Sequence, residues 1–464
     1  MEKETKLTTE IDIDKHYNTL LYKPELSGLK VLLGIDMFLL ITLIVMPQYF
    51  GIHIGYDFTC SRIADIFLLV YALLQYQILN LFFKTVVKCS VTIPLMLYLM
   101  VAGYTMIFRA DINAFMLVFL EVLTFYILIV SIRYVIGINR TIKVIIGCAY
   151  FLCAYGFLEF AAGRSLFLQF LSTMPNYVSN CYRSGYYRIM GPCGHPIGYG
   201  LLLILFVAIA CYDYEREKIY LYKRPGLLFM LLANIFLTGS RSSQGLVMVE
   251  VVIILLLSEK KERKKAILYS VMVLGGLAFF LALTYKTKIG NYLLMQITVL
   301  IDHVLGTQYS VFFGADIATL ENSENYREYL PLIFTLDWLH PLVGRGVKRP
   351  FGATFYDPEG HAIYIHSVDN YYLCQYIKYA YPGMFSYIAF IFTGIATIVK
   401  KLIKNTSSLS KIILVAFCCY FINLWWVDAL QTLKFVYIFL ALFFAEVFWQ
   451  KDKQKAKYNS MKSD

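Results

Sequence analysis

A chain of 464 residues that is 59% hydrophobic and only 16% charged, with a mean hydropathy of +0.61, carries more apolar surface than a soluble domain can hide. Composition therefore excludes a water-soluble globular protein and points to an all-α polytopic membrane protein. The net charge of +11 is dispersed over the segments between apolar runs, which excludes a nucleic-acid footprint.

Residues 1–29 are mixed in charge and lack an apolar h-region, so they predict a cytoplasmic tail rather than a signal peptide. Twelve apolar segments follow, near 30–47, 63–83, 89–108, 112–131, 142–162, 196–212, 226–238, 244–257, 266–285, 383–399, 411–426 and 430–449. Twelve spans leave both termini on one side. The basic residues identify that side as cytoplasmic: 28 of 42 fall in alternate loops and the two tails, including "KKERKK" at 260–265. The resulting division is a tail (1–29), nine spans (30–285), a large outer loop (286–382), three spans (383–449) and a second tail (450–464). Within the outer loop, residues 368–382 are apolar and tyrosine-rich. They predict a half-inserted helix that Pro382 and Gly383 turn into the next span. No internal repeat is present, so the inverted-repeat signature of a secondary transporter is absent. Ten scattered cysteines show no metal-ligand spacing, and no metal or other cofactor is expected. Cys181 and Cys193 could pair in an oxidising space, with free thiols the favoured reading.

Nine of the 14 arginines fall on the predicted outer face. Lysine suffices to hold a loop against anionic lipid, whereas the planar arginine fork grips phosphate oxygens with two bonds, so this bias suggests an outer site for a phosphate-bearing ligand.

Candidate site residues follow in chain order. Glu159 falls near the outer end of the fifth span, where it could meet arginines, while Glu121 and Glu250 fall mid-membrane and should be paired or protonated. "YRSGYYRIMGPCGHPIGYG" (182–200) combines Arg183 and Arg188 with Gly191, Pro192, Gly194 and Pro196, which oppose regular structure. Pro196 suits a first helical position, and the free N–H groups of that helix start would favour an anion. His195 caps or packs there. "LTGSRSSQG" (237–245) joins two short spans. Arg241 lies 17 and 19 residues from their inner basic ends, about 26–29 Å at helical rise, which puts it at the outer boundary of a ~30 Å core. An arginine held there is a functional candidate, a snorkelling anchor being the plainer reading. Arg345, Lys348 and Arg349 among the glycines of 339–352 predict a flexible cationic lip. "HSVDNYYL" (366–373) offers His366 as a proton acceptor, with Asp369 or Asn370 one turn away to orient it.

The order of these elements resembles the bacterial O-antigen ligase and O-antigen or exopolysaccharide polymerase superfamily over roughly residues 150–400. The elements are an Arg-Gly-Pro-rich loop before a span, "TGSRSSQG" between spans, "PLVGRGV" in a large outer loop, then a His/Asn motif leading to "YL…YPGM". In that family His is commonly followed directly by Asn; here three residues separate His366 from Asn370. The resemblance implies a membrane-embedded lipid-donor (GT-C type) glycosyltransferase of the bacterial cytoplasmic (inner) membrane, metal-independent and inverting. It would move a growing glycan from undecaprenyl pyrophosphate to a lipid-linked repeat-unit acceptor. Arg188 and Arg241 would hold the pyrophosphate and His366 would take the acceptor proton or orient the acceptor. A chain-length regulator and a flippase are the protein partners it suggests, alongside membrane lipids; no nucleic acid is expected. The polymerase reading is favoured over ligation to a different acceptor. A transporter, and a metal-dependent enzyme of the oligosaccharyltransferase type, are the other classes weighed. The latter needs clustered acids in an early outer loop, where only Asp57 occurs.

Overall fold

The computed structural model describes residues 29–47, 49–53, 57–169, 182–316, 326–348, 350–356, 360–404, 407–430 and 432–463. Among these are fourteen α-helices: α1 (Leu29–Val45), α2 (Cys60–Leu74), α3 (Tyr76–Lys88), α4 (Thr92–Arg109), α5 (Ile112–Ser131), α6 (Ile138–Ala162), α7 (Pro196–Ala210), α8 (Pro225–Thr238), α9 (Arg241–Leu257), α10 (Lys260–Thr284), α11 (Lys288–Leu305), α12 (Tyr371–Lys404), α13 (Ser408–Asn423) and α14 (Leu433–Ser463). Six helices are long and apolar enough to cross a membrane, and four shorter ones are also apolar. The protein is thus an all-α membrane protein. Among the described residues the strands form two-stranded antiparallel hairpins: β1–β2 (Gly51–His53, Asp57–Thr59), β3–β4 (Tyr182–Arg183, Tyr186–Tyr187), β5–β6 (Tyr212–Asp213, Lys218–Ile219) and β7–β8 (Ala353–Tyr356, Ala362–Ile365).

Helix α7 forms the centre. Its sequence, "PIGYGLLLILFVAIA", is apolar on every side, so no face prefers water and nearly every residue is buried. Helices α6, α8, α9, α13 and α14 surround it. Gly200 sets the closest approach: a Cβ there would lie 2.5 Å from Ser243 Oγ on α9. Polar contacts then tie the helices together. Asn423 Nδ2 on α13 donates to Ser243 Oγ (3.2 Å), and Gln244 Nε2 donates to Gln296 Oε1 on α11 (3.3 Å). Within apolar surroundings such bonds have no competing water, which favours one arrangement of the helices.

Several side-chain contacts join segments that the charge pattern assigns to one side. Among segments predicted to be cytoplasmic, Arg133 pairs with Asp452 (2.6 Å) and Lys218 with Glu259 (2.8 Å). Among those predicted to be outside, Arg109 Nε donates to Gly344 O (2.7 Å), and Asp111 Oδ2 accepts from the N–H of Val347 (2.7 Å) and of Lys348 (2.8 Å); Lys434 Nζ donates to Met46 O (3.1 Å) between the predicted outer ends of two spans.

Three details depart from the sequence reading. The segment 63–83 is two helices, because Gln75 takes an extended conformation (φ −117°, ψ 99°) between α2 and α3. The cationic segment 341–348 is tethered rather than flexible: beyond its bonds to Arg109 and Asp111, Arg345 N–H donates to Ile377 O (2.8 Å) and its guanidinium sits 5.0 Å over Trp338. The break between the short outer helix and the following span comes at Ala380 (φ 56°, ψ −166°), two residues before Pro382. Proline cannot donate to the Lys378 carbonyl four residues back, which is thereby left to accept from Gly346 N–H (3.0 Å); Tyr381 N–H bonds Pro341 O (3.2 Å). The outer loop therefore fills the gap that the kink opens.

Gly200→Val should lower stability by about 1–3 kcal/mol by forcing α7 and α9 apart. Gly226→Ala, with nothing within 4 Å of its Cβ position, is the control expected to be neutral. Thermal unfolding midpoints of the two variants in detergent check this.

Candidate functional site

A cavity of about 2080 Å³ lies where α7, α9, α11, α12 and α13 meet the outer loops. Its polar end begins with β3–β4. Ser184 and Gly185 both have positive φ (49° and 76°), the two-residue turn that matches strand twist, and the hairpin leads the chain from Arg183 to Arg188. Arg188 is 7% exposed and its Nε donates to Thr238 O (2.8 Å), a terminal carbonyl of α8, where the negative end of the helix dipole also favours a cation. Gly239 (φ +60°) turns the chain from α8 into α9, and its missing side chain leaves room for Arg188, whose Nε would be 3.1 Å from a Cβ. Arg241 is the first residue of α9. The positive end of that helix, with Gly239, Ser240 and Ser242, opens on the same space.

Glu159 holds the backbone behind Arg188. It is wholly buried and accepts from Tyr187 Oη (2.8 Å), Met190 N–H (3.0 Å) and Gly191 N–H (2.9 Å). From Gly191 a short 3-10 turn leads to His195, which caps α7: its Nδ1 accepts from Ile197 N–H (3.2 Å), and Pro196 follows at the first helical position. Burial, then Arg188 and Arg183, push the His195 imidazolium pKa down to about 4, so the ring is neutral with its proton on Nε2.

The opposite lip comes from the start of α12. Asn370 caps it, Oδ1 accepting from Leu373 N–H (3.0 Å) and Nδ2 donating to Trp425 O (2.9 Å). Asp369, immediately before, pairs with Arg327 at 3.5 Å. Among the described residues, four arginines (183, 188, 241 and 327) and two aspartates (316 and 369) line the cavity, an excess of two positive charges. Burial, and then Arg241 and Arg327, hold the Arg183 guanidinium below its usual range. Crowded like charges of this kind are relieved by a bound anion.

Below the arginines the walls are apolar. Met384, Ile388, Ile391, Phe392 and Ile395 line one face of α12 over about 17 Å of helix, opposite Leu246 and Val249 of α9 and Phe421 and Ile422 of α13. The space is amphipathic, with a cationic mouth and a long greasy floor.

Six expected residues therefore converge here: Arg183, Arg188, His195, Arg241, Asp369 and Asn370. Glu159 and Arg345 are not among the lining residues, the first serving backbone and the second stacked on Trp338. His366 is exposed, stacked on Tyr364 (6.1 Å, 16°), and lies off the cavity wall. Arg349 and Cys181 fall outside the described residues; Cys193 is a free thiol. Sequence reading missed Arg327, Asp316 and the Trp425–Trp426 pair. Arg327 belonged to the arginine-rich outer face, but no local motif singled it out. No protein-family model matches the chain, and no curated protein matches it.

Glu159→Ala should lower stability by about 2–4 kcal/mol, because it strands two buried N–H groups. Gly239→Ala should cost about 1–2 kcal/mol of backbone strain and displace Arg188. Unfolding midpoints in detergent, read beside tryptic cleavage at Arg188, check both: cleavage should rise in each variant.

Proposed function

We propose that this protein is a polysaccharide repeat-unit polymerase. It transfers a growing glycan from a polyprenyl-pyrophosphate carrier to a lipid-linked repeat-unit acceptor at the outer face of the bacterial cytoplasmic membrane, through twelve spans with both termini cytoplasmic. The single observation that carries this reading is the amphipathic cavity. The excess of two positive charges among its described residues matches a pyrophosphate diester, and its apolar floor suits an isoprenoid chain. The contacts between segments assigned to one side support the span count, and the resemblance to the polymerase and ligase superfamily supports the reaction class.

The chemistry follows from charge. When the anomeric carbon leaves pyrophosphate, negative charge grows on the phosphate oxygens while the sugar becomes oxocarbenium-like. Preorganised guanidiniums stabilise that charge without reorganising, the role a divalent cation plays in other enzymes. Arg188, fixed by Thr238 O, and Arg241, fixed at the start of α9, are the principal leaving-group ligands; Arg183 and Arg327 complete the ring. Phe392, Phe421 and their neighbours give the floor an apolar lining.

Arg188→Ala and Arg241→Ala should each reduce polymer at least about 100-fold, with protein still in the membrane. The check is the surface-glycan ladder of a deletion strain carrying each variant; a normal ladder from either would refute the anion site. Deletion itself should leave single repeat units on the final acceptor. Full-length chains accumulating on the lipid carrier would instead identify a ligase. Elongation in washed membranes should survive EDTA.

A further inference from the structure

Resting on the polymerase reading, we infer that Asp369, rather than His366, is the catalytic base that takes the proton of the acceptor hydroxyl. The cavity decides between them: Asp369 lines it beside the arginine ring, whereas His366 is exposed, stacked on Tyr364 and not among the lining residues.

The other proton acceptors on the wall fare worse. His195 spends Nδ1 on Ile197 N–H, so its remaining nitrogen carries the proton and can only donate. His303 and Asp316 are exposed to solvent at the rim. Asp369 is the partly buried carboxylate, and it is held in place from both sides. Asn370 pins the following turn through Leu373 N–H and Trp425 O, and Arg327 grips one carboxylate oxygen, Oδ2, at 3.5 Å. The carboxylate has a second oxygen, Oδ1, to offer an incoming hydroxyl.

The groups facing Asp369 are Arg327, Arg183, Asp428, Tyr326 and Cys374. Burial raises its carboxyl above the ordinary range, Arg327 and Arg183 oppose that rise and Asp428 adds to it. A base lifted toward neutrality is better matched to a hydroxyl proton than a free carboxylate.

The step balances as an inverting displacement. The acceptor O–H bond breaks and its proton passes to Asp369 as the oxygen forms a bond to the anomeric carbon. The bond from that carbon to the phosphate oxygen breaks, and its electron pair leaves with the polyprenyl pyrophosphate held by the arginines. Asp369 then returns the proton to water.

The test uses the full-length protein in a deletion strain and in detergent. Asp369→Asn should cut chain elongation in membranes by about 100-fold or more, while His366→Ala stays within about twofold of wild type. Asp369→Glu should retain measurable elongation with its acid limb displaced along the pH axis, which a merely structural carboxylate would not produce. Farnesyl pyrophosphate, as a probe of the anion site, should raise the unfolding midpoint of wild type and of Asp369→Asn alike, but not of Arg241→Ala. Elongation by Asp369→Asn within a few-fold of wild type, or its loss in His366→Ala, would overturn the assignment and leave the polymerase reading standing. Absence of any farnesyl pyrophosphate effect on wild type would overturn the pyrophosphate site, and this inference with it.

Discussion

Four guanidinium groups gathered at one mouth repel one another, and much of the surrounding architecture holds them there. Two aspartates do not neutralise them. The helix termini divide the remaining work. The carbonyl end of α8 receives Arg188 through Thr238 O, while the amide end of α9 adds further positive potential beside Arg241. On the proposed reading, a bound anion completes the site. On that reading, charge developing on a leaving group meets dipoles already in place.

That arrangement is affordable only because the helices beneath it are rigidly packed. Helix α7 is buried along its whole length, and Gly200 lets α9 approach until Ser243 meets Asn423 of α13. This contact orients the first turn of α9, and so the position of Arg241. Glu159 does the equivalent for Arg188 by fixing the backbone of residues 190 and 191. Both arginines are thus positioned by residues that do not touch the cavity charge themselves, which is how buried polar contacts in a membrane bundle contribute geometry to a site.

The kink at Ala380 links the outer loop to the floor. Its freed carbonyl at Lys378 and the N–H of Tyr381 are satisfied by Gly346 and Pro341, so the segment 341–346 is tied to the short first limb of α12. That limb begins with Asn370 and carries Asp369 at its head, while the long limb supplies the apolar strip from Met384 to Ile395. The polar and apolar surfaces of the cavity are therefore linked through two helical limbs joined at one irregular residue.

Composition alone determined that this is a helical membrane protein, because 59% hydrophobic residues leave no aqueous fold open. Arginine placement then pointed to the outer face as a phosphate site, and local backbone chemistry predicted Pro196 as the start of α7, since these depend on neighbours in sequence. Arg188, Arg241 and Asn370 were legible for the same reason. Other features depend on contacts between residues far apart in the chain. Arg327 meets Asp369 across 42 positions of loop, and Trp425 meets Asn370 from the next helical hairpin; neither pairing leaves a periodic or compositional trace. His366 and Asp369 are three residues apart and equally eligible by chemistry. Only the packing of the outer loop, which sets one partly buried beside the arginines and leaves the other stacked on Tyr364 in solvent, separates them.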